Sequence, residues 1–370
     1  MEQSVVTAAC ASYETEEIKK TVRDIFDRFG GAGAFLRGGN RVLIKPNLLM
    51  ARMPGEGTTT HPELVAATAE LFVEAGAVVT IADSPGGPYN DFYVSRVYRA
   101  CGMEEAARRS GARLNHDFTH RRVNYDGFAP RAFDIITPVA EADVVISLAK
   151  MKTHMMTYFT GAVKNLYGVV PGLTKAKYHS ELPDKEDFCR MIIDLCRVVT
   201  PSFCIIDGVE GMDGKGPSGG RVRKAGVLIA SKNPFAADLA AMHIAGLLPE
   251  RAPIHNHAWQ IGLVPRTAAE LTYLGDVVPP LADPFIPAVA GGTSNLSFLN
   301  YLPRLIRAPL QRALIPAPKM TERCVGCGDC ARACPVHAIV VKGGKASIDR
   351  RACIRCYCCH ELCPIKAVEL

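Results

Sequence analysis

Eight cysteines in two matching runs constrain this chain more than anything else in it. The first run reads Cys324-x2-Cys327-x2-Cys330-x3-Cys334-Pro335. The second starts 29 residues later and reads Cys353-x2-Cys356-x2-Cys359-x3-Cys363-Pro364. Thiolates at this spacing hold iron–sulfur clusters, and in a doubled run the fourth cysteine of each run crosses to the other's cluster. By that rule Cys324, Cys327, Cys330 and Cys363 hold one 4Fe-4S cluster, and Cys353, Cys356, Cys359 and Cys334 hold a second. Zinc knots rarely repeat such a run, and disulfide scaffolds are small secreted chains. Cys358, between two of these ligands, reads as a spare buried thiol.

With 370 residues the chain is long enough for two domains. The cysteine-rich tail is too short to build much apolar core, so the clusters themselves are expected to hold it folded. Nine of the 14 cysteines lie there; Cys10, Cys101, Cys189, Cys196 and Cys204 are scattered without ligand spacing. That usage predicts a reducing cytoplasm, and oxygen-sensitive clusters predict an anaerobic or protected setting. The start, Met1-Glu2-Gln3, carries no basic-then-apolar leader, and no apolar run is long enough for a membrane span. The formal charge of +6 counts every thiol as neutral. Two oxidised clusters with their thiolates bring about −2 each, which leaves little net charge and does not indicate a nucleic-acid binder.

Before the tail, short apolar runs alternate with helical periodicity. Val5 to Ala9 reads as a strand and Thr15 to Phe29 as an amphipathic helix. Val42-Leu43-Ile44 is a buried strand feeding Lys45-Pro46-Asn47; Thr60-His61-Pro62-Glu63 has the capping-box pattern of a helix running through Ala75. Further strands are expected at Ala77 to Ala82, Asp143 to Leu148, Phe203 to Ile206 and Val227 to Ala230, with a helix from Asn233-Pro234 to Leu247. Asn115 to Asp134 suggests an antiparallel pair or an insertion. This alternation predicts an α/β domain over 1–278, with a mostly parallel sheet covered by helices. A proline-rich linker is expected over 279–318 and the cluster domain over 319–370. Within the linker, Leu302 to Leu314 mixes arginines with leucines and reads as a short helix packed on the body.

In an open parallel sheet the loops leaving the carboxyl ends of the strands line one edge, where ligands bind. The unusual polar residues follow predicted strands: Lys45 and Asn47; Ser84 and Gly86; Lys152 and His154; Asp207. The segment from Lys150 to His179 holds five lysines and two histidines, and no acid occurs from Val144 through Ser180. Positive charge gathered among apolar residues favours an anionic guest, and lysine in an apolar pocket is poised for proton transfer. The candidate catalytic residues are therefore His154, Lys164 and His179, with Lys45, Asn47, Ser84, Gly86, Lys152 and Asp207 as candidate substrate contacts. The stretch Asp207-Gly208-Val209-Glu210-Gly211-Met212-Asp213-Gly214-Lys215-Gly216-Pro217 lacks the spacing of a nucleotide-binding loop. It reads as a mobile lid or wall of the cleft.

Three resemblances add to this reading. The tail resembles the two-cluster bacterial ferredoxins, which implies a small α+β fold. KPNL at Lys45, TTTHP at Thr58, DSPGG at Asp83, KTH at Lys152, TGAVKNLYG at Thr160 and the DGVEGMDGKGP stretch are similar to the family catalogued as domain of unknown function 362. Members of that family often carry a ferredoxin tail, and its reaction is generally unassigned. More faintly, His154, Phe159, Thr160-Gly161, Lys164, Pro171-Gly172 and His179 resemble the lactate racemases with a nickel-pincer cofactor. That likeness implies an anchoring lysine and acid/base histidines, and it leaves open a further organic or metal cofactor near Lys164.

The expected function is an iron–sulfur oxidoreductase, in the sense of a reductase. Electrons from an external low-potential donor such as ferredoxin would pass through two 4Fe-4S clusters to an anionic small molecule in the α/β cleft. One alternative is an electron-transfer or metallocofactor-assembly protein without its own substrate. Another is a non-redox racemase- or isomerase-like enzyme with a structural cluster domain.

Overall fold

The structure is a computed structural model that describes residues 2–172, 174–288 and 316–370. Its body is organised by β1 (Ser4–Ala9), β2 (Arg41–Lys45), β3 (Val78–Ile81), β4 (Arg113–Leu114), the hairpin β5 (His120–Asn124) and β6 (Ala132–Ile136), β7 (Val144–His154), β8 (Tyr158–Thr160), β9 (Phe203–Asp213), β10 (Arg221–Ser231) and β11 (Thr272–Tyr273). The main sheet runs β11-β1-β10-β9-β7-β2-β3-β4, with β8 paired to β7. Its central strands β9, β7, β2, β3 and β4 are parallel, whereas β10 is antiparallel to both β1 and β9. The sheet is thus α/β and mostly parallel.

Strand side chains alternate between two apolar layers, because successive residues of a strand point to opposite faces. Val42, Ile44, Val144, Ile146 and Leu148 pack with the helices Thr15–Asp27, Pro62–Glu74, Asp91–Ala100 and Met103–Ser110. Leu43, Val145, Ala149, Ile206 and Val227 pack with Lys185–Val199, Pro234–Ile244 and Pro253–Gln260 on the other face. Both faces of the central strands are covered, which explains their near-continuous apolar runs.

Several local expectations change. The capping box at Thr60 does not form: His61 caps the helix by accepting the Glu63 N–H, and the Thr60 hydroxyl instead donates to Leu148 O. β7 does not stop at Leu148 but runs through His154. The glycine-rich stretch after Ile206 is neither lid nor loop as far as Asp213. It continues β9 and pairs with β10 from Cys204 to Asp213. Glycine is tolerated there for close packing: a side chain at Gly211 would meet the backbone of Met151 and the ring of Phe285. Asp213 is buried and ion-paired with Arg221 at 2.7 Å and Arg223 at 3.2 Å.

The tail folds into two short antiparallel pairs, Lys319–Met320 with Val368–Glu369 and Ile339–Lys342 with Lys345–Ile348. Two four-residue helices join them, Asp329–Arg332 and Cys358–Glu361. Five of the ten residues in its buried centre are cysteines. The sequence-based helix over Leu302 to Leu314 lies outside the described residues.

Candidate functional site

The chain leaves β2 toward β3 and β4 on one side, and leaves β7 toward β9 on the other. The carboxyl ends of β2 and β7 therefore flank the point where strand order reverses, the place where open α/β sheets hold ligands. A cavity of about 110 Å³ lies there. Asn47 reaches it from the loop after β2, Ser84 and Gly86 from the loop after β3, and Lys152 and His154 from the end of β7. Lys164 comes from the short helix Ala162–Asn165, and Lys175 and His179 come from Thr174–Glu181.

Each basic group is in a different condition. Lys152 Nζ donates to Asn47 Oδ1 at 2.8 Å and to Thr58 O at 2.7 Å, so neutral oxygens satisfy it. Burial, with Lys150 nearby, pushes its pKa down to about 7. Lys175 donates to Ser84 O, Ser84 Oγ and Val170 O within 3.0 Å, and burial brings it likewise to about 7. Lys164 makes no hydrogen bond or ion pair among the described residues. Its ammonium sits 4.4 Å from the Tyr167 ring centre and 5.6 Å from that of Phe188. His179 stacks on Phe188 at 4.3 Å, its Nδ1 is buried without a partner, and burial followed by Lys164 lowers its pKa to about 3.

The roof of the cavity belongs to the tail. Ala333, Cys358, Glu361 and Leu362 all line it. Glu361 Oε1 lies 3.2 Å from His154 Nε2, and Ser218 Oγ donates to Glu361 O at 2.6 Å. Arg52 donates to Cys363 O at 3.4 Å, and Leu362 lies against Gly86, where any side chain would strike it. His154 Nδ1 accepts the N–H groups of Met156 and Thr157, so in its neutral form the ring carries its proton on Nε2, facing Glu361. Burial lowers the His154 pKa. Burial would raise that of Glu361, but His154, Lys164 and His179 outweigh it and hold the carboxyl below its usual range.

The cysteines form a donor set suited to iron–sulfur clusters. All are free thiols, and Cys324, Cys334 and Cys363 accept backbone N–H groups from Ala346, Ala338 and Ala367 at 3.1–3.3 Å. Cys330 has Cys327, Cys324 and Cys363 among its electrostatic neighbours, Cys353 has Cys356 and Cys334, and Cys359 has Cys356, Cys353, Cys330 and Cys334, so residues of both runs come together in the tail. Cys358 is not merely spare: it donates to the Cys356 sulfur, which lowers the Cys356 pKa, and it lines the cavity.

Of the candidate site residues, Asn47, Ser84, Gly86, Lys152, His154, Lys164 and His179 line one cavity. Lys45 and Asp207 do not. Lys45 lies beneath it, paired to Asp83 at 2.7 Å and bonded to Asn165 Oδ1 at 3.2 Å. Asp207 pairs with Lys150 at 2.9 Å and accepts from the Tyr13 hydroxyl at 2.7 Å. Neither lines the cavity, and the charge of each is paired within the body. Sequence reasoning missed Lys175, although it stands in the acid-free segment, and Glu361, which no local signal distinguishes from a surface acid of a short helix.

Comparison with known proteins agrees with this architecture. The family model described as domain of unknown function 362 matches residues 42–243, and a 4Fe-4S binding domain matches 317–340. The thylakoid-associated protein sll1697 of Synechocystis sp. is 36% identical over 282 residues, covering 74% of this chain and 84% of its own length. A weak structural likeness links the chain to the lactate racemase apoprotein of Thermoanaerobacterium thermosaccharolyticum, with a TM-score of 0.41 and 12% identity over 64% of this chain. The matched region spans only 56% of that racemase chain. No helix among the described residues is long and apolar enough to cross a membrane.

Proposed function

We propose that this chain, which belongs to the domain of unknown function 362 family and carries a 4Fe-4S binding domain, is a two-cluster iron–sulfur reductase acting on an anionic small molecule in the cleft of its α/β body. The observation that carries the reading is a shared wall: Glu361 and Cys358 of the tail line the same cavity as His154, Lys164 and His179 of the body.

Cys324, Cys327, Cys330 and Cys363 would hold one cluster, and Cys353, Cys356, Cys359 and Cys334 the other. Clusters so bound supply single electrons, and two of them supply the pair that reduction of an organic substrate requires. Cys327 is exposed while Cys353, Cys359 and Cys363 are buried, which favours entry of electrons from an external low-potential donor on the Cys327 side. In the cleft, Lys164 offers the guest N–H donors that make no hydrogen bond among the described residues, and Lys152 and Asn47 hold each other in place beside it. The ammonium groups of Lys152 and Lys175, which burial brings to about 7, could give up the proton that reduction consumes, and His154, its ring oriented by Glu361, lines the wall beside them.

Anaerobic purification followed by iron analysis and low-temperature spectroscopy tests the relay. About eight irons per chain, reducible at low potential, are expected; two or fewer would end the reading.

A further inference from the structure

We infer that Lys164 is a nucleophile, and that the guest of this cavity is a small carbonyl compound which it holds as an imine. The inference rests on the reductase reading for its setting. It deepens that reading by naming the class of substrate and the residue that binds it covalently.

Three lysines line the cavity among the described residues, and one of them keeps its amine disengaged. Lys152 is held by Asn47 Oδ1 at 2.8 Å and Thr58 O at 2.7 Å. Lys175 is held by Ser84 O, Ser84 Oγ and Val170 O. Attack by either nitrogen on a guest would first break those bonds, and would leave buried oxygens without a donor. Lys164 has none to break: its nitrogen lies over the rings of Tyr167 and Phe188. Ring faces and an apolar wall favour the neutral amine, the form that carries a lone pair. Burial pushes the Lys164 pKa down, and Glu361, Cys358 and Cys189 oppose that without cancelling it, while Lys45 adds to it.

The amine is also held from behind. Asp238 clamps the start of the helix Ala162–Asn165 through the N–H groups of Ala162 and Val163. At its end, the Asn165 side chain accepts from Lys45 and donates to Ser147 Oγ at 2.9 Å. A four-residue helix tied at both ends fixes the origin of the lysine side chain, as a nucleophile needs.

The step is a condensation. The Lys164 nitrogen bonds to the carbonyl carbon, the carbonyl oxygen departs as water with the two protons of the amine, and a C=N bond remains. No oxidant or reductant is consumed. The carbonyl is the handle of the guest and not the bond that turnover reduces, because reduction of the C=N bond would leave a secondary amine that water cannot release. Thr160 and His179, which line the same space, each hold a buried polar atom without a partner, which suits an oxygen-bearing substituent beside the carbonyl. A cavity of about 110 Å³ is far smaller than the pockets that enclose drug-sized ligands, so the compound is small.

Treatment of the oxidised, anaerobic holoprotein with sodium cyanoborohydride and, in turn, glyoxylate, pyruvate or acetaldehyde tests this. The reagent turns an imine into a stable amine, and peptide mass spectrometry reads which lysine has gained the carbonyl compound less one oxygen. At least one of the three should label Lys164 about tenfold or more faster than Lys152 and Lys175. Lys164 left unlabelled by all three overturns the inference, as does labelling of Lys152 or Lys175 at an equal rate. The trap takes no electron from a cluster and iron is measured separately, so the two readings fail separately. Unlabelled Lys164 in protein with about eight reducible irons sinks only this inference, and selective labelling of Lys164 in iron-poor protein leaves it standing.

Discussion

The Asp238 carboxylate occupies the space that a side chain on Gly161 would need. It accepts the N–H of Ala162 at 2.5 Å and of Val163 at 3.3 Å, so a residue of the helix Pro234–Ile244 clamps the four-residue helix that carries Lys164. Gly161→Ala should therefore displace that helix and cost about 2–3 kcal/mol. Denaturant unfolding checks the stability, and anion titration checks the loss of the Lys164 site.

Asp238 also makes stability depend on pH. Burial raises its pKa from 3.8 to about 7, so between those values the folded state binds a proton that the unfolded state has lost. Stability must then fall as pH rises through this window and level off above about 7, by at most on the order of 4 kcal/mol. Unfolding at pH 5 and pH 7.5 should show this decline in the native protein and a shallower one in Asp238→Asn.

Anion affinity should also fall as pH rises. Lys152 and Lys175 titrate near 7 because burial disfavours their charged forms. Below that pH both add positive charge to the cavity; above it both are neutral. A carboxylate ligand should bind about tenfold more weakly at pH 8 than at pH 6 if one protonated lysine is required. Lys152→Met should flatten part of this profile.

Lys45 and Asp83 form a buried pair whose members depend on each other. Asp83 Oδ2 also accepts the Leu48 N–H at 2.8 Å, and Lys45 also bonds Asn165. Removing the lysine alone leaves a carboxylate buried and unpaired, a loss of about 3–5 kcal/mol. Lys45→Met combined with Asp83→Asn should lose less than Lys45→Met alone, as read by thermal or chemical unfolding.

Removal of iron should melt the tail and leave the body folded. Half of the tail's buried centre is cysteine, so without metal little apolar surface holds it together, whereas the body has two large apolar layers. After anaerobic chelation, hydrogen exchange should accelerate over 319–370, with body strands such as β7 remaining protected. Retained protection across the tail would contradict this.

The alternating strands and helices were legible because each is a local pattern: Val42-Leu43-Ile44 and Val144 to Leu148 carry the apolar runs of strands covered on both faces. The extension of β9 through Asp213 was not. Its glycines read as a loop, and only the pairing with β10, the ion pairs to Arg221 and Arg223, and the close approach of Met151 make it a strand. The basic segment from Lys150 to His179 pointed to the cavity, yet nothing local separates Lys150 from Lys152. A register shift between them in the pairing of β7 with β9 sends the first to Asp207 and the second to Asn47.

Residue order alone determined the two cysteine runs, the α/β alternation and the gathering of positive charge, since each is written in spacing along the chain. Tertiary structure decided which charges remain available. Lys45 and Asp207 pair with partners 38 and 57 residues away, Lys164 sits over aromatic faces and makes no hydrogen bond among the described residues, and Glu361 crosses from the tail to His154. Whether a charged group is spent or free depends on what lies within a few ångströms of it, and spacing along the chain carries no record of that distance.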